Sequence, residues 1–128
     1  MFFYNISKFF EHPYQEDGVV KINFILSIAI NLITWLTLYY KLHPFSYTSD
    51  FGQIYLHYNL YFGIDNIGYW YEALIIPLLG LFIIIFNSVL GYFLYVQEKV
   101  LSYSLVVSQT LLQIILFAAA IFVILLNI

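Results

Sequence analysis

The sequence predicts an all-α membrane protein: three transmembrane helices, an N-terminal interfacial helix and a structured extracytoplasmic loop of some strand character. Three observations lead there. Charge-free apolar runs at Ile22–Tyr40, Ala73–Val96 and Val100–Ile128 occupy more than half of the 128 residues. At about 1.5 Å per residue, each can cross a hydrocarbon core roughly 30 Å thick. The composition is 63% hydrophobic and only 9% charged, with a mean hydropathy of +0.90, which leaves too few polar groups to coat a water-soluble domain of this size. Each run also carries polar or small residues at helical spacing, as helices do when one face packs on protein. We therefore expect one integral membrane domain over 1–128: an interfacial segment 1–18, spans at 22–40, 73–96 and 100–128, and an outer loop 41–72.

Charge narrows the function classes. The net charge is −3 with four Lys+Arg, all of them lysine, so no basic face is expected for nucleic acid or acidic lipid. There is no Cys, which removes disulfides and thiol chemistry. The expected partners are the lipid bilayer and other membrane subunits or further copies of the chain.

At the N-terminus, Phe2, Phe3, Ile6, Phe9 and Phe10 alternate with Asn5, Ser7 and Lys8 at helical spacing. Such a helix lies in the headgroup plane with its aromatic face in the acyl boundary. His12-Pro13 is expected to end it, and Gln15-Glu16-Asp17-Gly18 to turn the chain into the first span. With the N-terminus cytoplasmic, Lys8, Lys21 and Lys99 lie inside and only Lys41 outside. Positive charge in short loops favours the inside, so the expected topology is N-in, C-out.

Asn23, Ser27, Asn31 and Thr34 form one stripe on the first span. On the second, Gly80, Asn87, Ser88 and Gly91 supply small and polar residues. The third carries Ser102, Gln109, Gln113 and Ala120. Small side chains let backbones approach and amides bond across the contact, so these stripes are expected to be helix contacts. Lining of a polar path is the competing reading, and it lacks the ionisable residues that mark conduction routes. Pro77 is expected to kink the second span or to fall in its first turns. Gln97-Glu98-Lys99 is short enough to make the second and third spans an antiparallel hairpin. Tyr92, Tyr95 and Tyr103 mark one interface; Trp35, Tyr39, Tyr40, Tyr69, Trp70 and Tyr71 mark the other.

The outer loop is the one stretch with room for a site. From Gly52 to Gly63, Ile54, Leu56, Tyr58, Leu60 and Phe62 alternate with Tyr55, His57, Asn59 and Tyr61, a strand period. Gly63-Ile64-Asp65-Asn66 reads as a turn. A lone strand is unstable, so a partner is needed: Phe45–Phe51, Ile64–Tyr69 or another chain. Tyr55, His57, Asn59, Tyr61 and Asp65 combine aromatic area with directional polar groups, the mixture found at binding hot spots, and are the candidate partner-binding residues. The run Leu56-His57-Tyr58-Asn59-Leu60-Tyr61-Phe62-Gly63-Ile64-Asp65 resembles the loop of small uncharacterised multi-span membrane proteins of reduced-genome bacteria. That resemblance implies a location and a topology and carries no activity.

No zinc spacing joins His43, His57, Asp50, Asp65 and Glu72, and no Gly-x-Ser-x-Gly turn presents a nucleophile. The chain is expected to be no enzyme, with neither metal nor cofactor. The leading expectation is a non-catalytic accessory or scaffolding subunit of a membrane assembly, contacting partners through the polar stripes and the aromatic loop. The alternative is a small transporter or channel that works as an oligomer, since three spans enclose too little volume alone.

The topology has a direct test, because the chain has no cysteine. In intact cells a membrane-impermeant thiol reagent should label Ser46→Cys and spare Gln97→Cys. The reverse pattern would mean C-in.

Overall fold

The structure is a computed structural model and describes residues 13–44, 53–61 and 63–127. Residues 1–12, which hold most of the expected interfacial helix, lie outside the described set. One helical turn, α1 (Pro13–Glu16), precedes three long helices: α2 (Gly18–Leu42), α3 (Ile75–Leu94) and α4 (Lys99–Leu126). Between α2 and α3 come two strands, β1 (Gln53–Asn59) and β2 (Gly63–Tyr69), and a 3₁₀ turn at Trp70–Leu74. Three stretches, Gly18–Leu42, Trp70–Leu94 and Lys99–Leu126, are long and apolar enough to cross a membrane, with mean hydropathies of 1.9, 2.6 and 2.5. The all-α membrane fold follows.

Element boundaries depart from the apolar runs for physical reasons. Span 1 extends past both of its flanking lysines, Lys21 and Lys41, because helical hydrogen bonding does not require an apolar side chain and a long stem can lift its ammonium out of lipid. Pro13 opens the α1 turn, where its missing N–H costs nothing; the helix it is expected to end lies outside the described residues. Asp17 then breaks α1 from α2. Its backbone is extended (φ −69°, ψ 128°), and its carboxylate accepts from the Val19 and Val20 amides at 2.9 and 3.3 Å, a helix N-cap. Pro77 falls in the first turn of α3, where an N–H would have no intrahelical acceptor.

The helices bury one stripe each. On α2 it is Val20, Ser27, Asn31, Thr34, Leu38 and Leu42. On α3 it is Pro77, Gly80, Ile84, Asn87 and Gly91, and on α4 it runs from Ser102 through Gln109 and Gln113 to Ile124. Alternate steps of three and four residues keep each stripe on one side of its helix. The outward faces are Ile22, Leu32, Leu36, Phe82, Ile85, Ile115 and similar residues, all at least half exposed to the acyl phase. Apolar groups lie outside and much of the interior is polar, the reverse of a soluble bundle.

The strand finds one of its three expected partners, 64–69, but the turn between them differs. β1 pairs antiparallel with β2, from Gln53↔Tyr69 to Asn59↔Gly63, with register shifts around His57. The connection is therefore Leu60–Phe62, and Gly63–Asn66 is strand rather than turn. Gly63 has φ 73°, the left-handed conformation that ends a three-residue hairpin link, and the chain runs extended after it. Alternation survives in the first half: Ile54 is buried while Tyr55 and His57 are exposed. Ile54 plugs into a cluster with Leu38, Leu42, Ala73, Ala120, Val123 and Ile124, which joins the hairpin to the bundle. Asn127 adds a second brace: its carboxamide accepts from the Tyr55 amide at 2.7 Å and donates to the Tyr55 carbonyl at 2.8 Å, filling one position on the outer edge of β1.

Candidate functional site

The interior of the bundle is a column of polar side chains, and its bonding can be assigned from one fixed donor. The Trp35 indole N–H can only donate, and it meets the Asn31 carboxamide at 3.0 Å, so the atom facing it is Oδ1. Asn31 Nδ2 then donates to the Pro77 carbonyl at 2.9 Å and to Gln113 Oε1 at 3.2 Å. Gln113 Nε2 in turn donates to the Gly80 carbonyl at 2.9 Å. All three helices meet at this node. It depends on Gly80: a Cβ there would sit 2.6 Å from Asn31 Nδ2 and 2.7 Å from Gln113 Oε1.

A second node lies about one turn away along the column. Thr110 has one hydroxyl proton, and its shortest acceptor is Asn23 Oδ1 at 2.8 Å, which leaves the oxygen to accept from Ser27 at 3.1 Å. On the other side of α4, Asn87 Nδ2 donates to the Leu105 carbonyl at 3.0 Å and Ser88 reaches Gln109 Oε1 at 3.4 Å. Nearer the Lys99 end, Ser102 donates to the Gly91 carbonyl at 2.8 Å.

The stripe residues thus meet one another: Asn23 and Ser27 with Thr110, Asn31 with Gln113 and Gly80, Ser88 with Gln109, and Gly91 with Ser102. Thr34 is the exception, bonding the Ile30 carbonyl of its own helix at 2.8 Å. Gln109 is fully buried, and its Nε2 has no partner among the described residues. An unpaired buried amide of this kind costs about 1–3 kcal/mol.

A clasp closes the Lys99 end. Beyond its N-cap bonds, Asp17 accepts from the hydroxyls of Tyr95 at 2.7 Å and Tyr103 at 2.5 Å. Lys99 lies over both rings, 5.6 and 5.4 Å from their centroids. The phenols hold the Asp17 carboxyl down at about 2, and the same contact raises Tyr95 above the ordinary phenol value. Tyr14 of α1 packs edge-on against Tyr92 and Tyr95, at centroid distances of 6.1 and 5.8 Å. Its ring fits where Gly91 has no side chain.

At the opposite end, Tyr39 stacks on His43 at 4.8 Å, and Trp70 sets its edge against both. Of the candidate loop residues, Tyr55 is 42% exposed and Tyr61 is 91% exposed; His57 is exposed as well. The side chains of Asn59 and Asp65 lie outside the described set. His57 and Glu72 line one cleft of about 470 Å³ with Leu56, Ala73, Ile75, Ile76 and Val123. Among the described residues, no three His, Cys, Asp or Glu side chains cluster as a metal site would require.

Three participants had no part in the sequence reading of the stripes and loop. Thr110 follows Ser108 and Gln109 directly, and nothing in that run singles it out. Asp17 stands immediately before α2, and Asp is a common N-cap residue, but its tyrosine partners are 78 and 86 residues away. The amide of Asn127 acts across 72 residues. Comparison with known proteins returns no matching family model, no matching curated protein and no matching solved structure.

Asn31→Leu or Gln113→Leu should lower bundle stability by about 0.6–2 kcal/mol in detergent unfolding, whereas Ile115→Leu on the lipid face should be neutral. Gln109→Met should cost less than Gln113→Leu, because Gln109 Nε2 has no bond to lose and only the 3.4 Å contact from Ser88 is given up. Equal losses at Gln109 and Gln113 would contradict the bonding pattern.

The clasp is pH-sensitive with a defined sign. A carboxyl lowered from 3.8 to about 2 on folding contributes stability that is complete above pH 3.8 and disappears as the pH falls through about 2. Thermal unfolding of wild type should show this acid loss, and Asp17→Asn should flatten it.

Proposed function

We propose that the chain is a non-catalytic accessory or scaffolding subunit of a membrane assembly, with its N-terminus cytoplasmic and its C-terminus outside, that engages a partner through the outer hairpin. One contrast carries this reading. Apart from Gln109 Nε2, the buried polar groups of the spans have partners within the bundle, while the hairpin turns large apolar groups outward: Tyr61 is 91% exposed, Leu60 88% and Ile67 57%. Bracing by Ile54 and Asn127 keeps that surface ordered before any contact forms, which lowers the entropy cost of binding. Among the described residues β2 pairs only with β1, so its outer edge suits strand addition by a partner.

An oligomeric channel or transporter is the second reading, and Gln109 favours it. A buried amide with an unused donor is what a water-filled path would supply with a partner.

Purification in mild detergent, with mass measurement of the intact complex, separates the two. An accessory subunit should co-elute with a different membrane protein, and combining His57→Ala with Tyr61→Ala should release it while the spans remain inserted. A homo-oligomer that passes solute in vesicles would favour the channel, and a partner retained by the double variant would remove the hairpin from the interface.

A further inference from the structure

Between the first turns of α2 and the last turns of α3 runs a groove of about 590 Å³, within the range of small-ligand sites. Its walls are Val20 and Phe24 on one side and Ser88, Val89, Tyr92 and Phe93 on the other. Phe24, Val89 and Phe93 are 43%, 49% and 68% exposed, so the groove opens sideways into the acyl phase. Its mouth is polar. Tyr14 and Gln15 of α1 and Lys21 of α2 line it at the membrane surface. Ser88 lies six residues before the end of α3, about 9 Å deeper.

The charges at this end are distributed unevenly. Asp17 is committed to two phenols and two backbone amides, and Lys99 lies against the rings of Tyr95 and Tyr103. Glu16 and Glu98 are exposed but do not line the groove. Lys21 is the charged residue in the lining, it is exposed, and it forms no ion pair with a described residue. The groove therefore combines an apolar channel continuous with bilayer tails and a cation at headgroup height.

We propose that this groove holds one anionic phospholipid, with its phosphate group at Lys21 and Gln15 and an acyl chain along Phe24, Val89 and Phe93. The acyl contacts shape the site without selecting the lipid, because a tail gains little on leaving one apolar surface for another. Selection falls to the headgroup. A lysine at an anionic membrane surface contributes enough to favour an anionic lipid roughly fivefold.

The test uses the full chain purified into mixed micelles or nanodiscs containing equimolar phosphatidylglycerol and phosphatidylcholine, with retained lipid counted by native mass spectrometry. Wild type should retain phosphatidylglycerol about fivefold over phosphatidylcholine. Lys21→Gln should bring the ratio to about one, and Lys41→Gln, at the other end of α2, should leave it unchanged. Val89→Trp, which fills the groove, should reduce retention of both lipids. Lys21 and Val89 are both exposed, so these variants leave the packed interior intact. A wild-type ratio near one overturns the proposal, as does a preference that persists in Lys21→Gln.

Discussion

Helices in a bilayer cannot be driven together by expulsion of water, since lipid tails are as apolar as leucine side chains. Whatever holds this bundle must therefore be contact that lipid cannot imitate, and the Asn31–Gln113 pair supplies it. These two carboxamides tie α2 to α4 and reach the α3 backbone at Pro77 and Gly80. Their positions require the absence of a side chain at Gly80, so this glycine of span 2 makes room for the amides of spans 1 and 3. The same logic explains why the buried stripes are rich in Ser, Thr, Asn and Gln while the lipid faces are Ile, Leu and Phe.

The ends of the bundle are held differently from its middle. At the Lys99 end the chain reaches the polar interface, and an ionised carboxylate becomes affordable: Asp17 caps α2 and gathers two tyrosines of the α3–α4 link. At the hairpin end, side chains are again apolar, and Ile54, Leu38, Val123 and Ile124 form an ordinary hydrophobic cluster. Amide bonding thus holds the middle of the bundle, a carboxylate clasp one end and hydrophobic packing the other.

The three spans were legible because membrane insertion depends on composition over some twenty residues, a property that survives error at any single position. The stripes were legible for a related reason: Asn23, Ser27 and Asn31 recur at helical spacing on a face where nothing else explains them. Geometry that depends on distant pairing was not. Asp17 read locally as part of a turn, and only the fold brings Tyr95 and Tyr103 to it. The hairpin shows the same limit on a smaller scale. Alternation identified the strand, but Gly63 read as the start of a turn and is instead its exit, a distinction made by the sign of one φ angle. Of the candidate site, the exposed positions of Tyr55 and His57 were visible in the strand period; the exposure of Tyr61, which lies in the link beside a similarly exposed Leu60, and the cleft that His57 shares with Glu72 were not.

The brace between Asn127 and Tyr55 has a consequence for biogenesis. The hairpin lies between the first two spans and leaves the ribosome well before the end of α4, since 72 residues separate the two partners. At a synthesis rate of about 5–20 residues per second, roughly 4–14 s pass before Asn127 is even made. Throughout that interval the hairpin can rest on Leu38 and Leu42 of α2 through Ile54, and the brace from α4 is missing. Any chaperone, protease or assembly partner on the hairpin's side of the membrane meets a half-braced hairpin first, and the closing of the second brace coincides with the completion of α4.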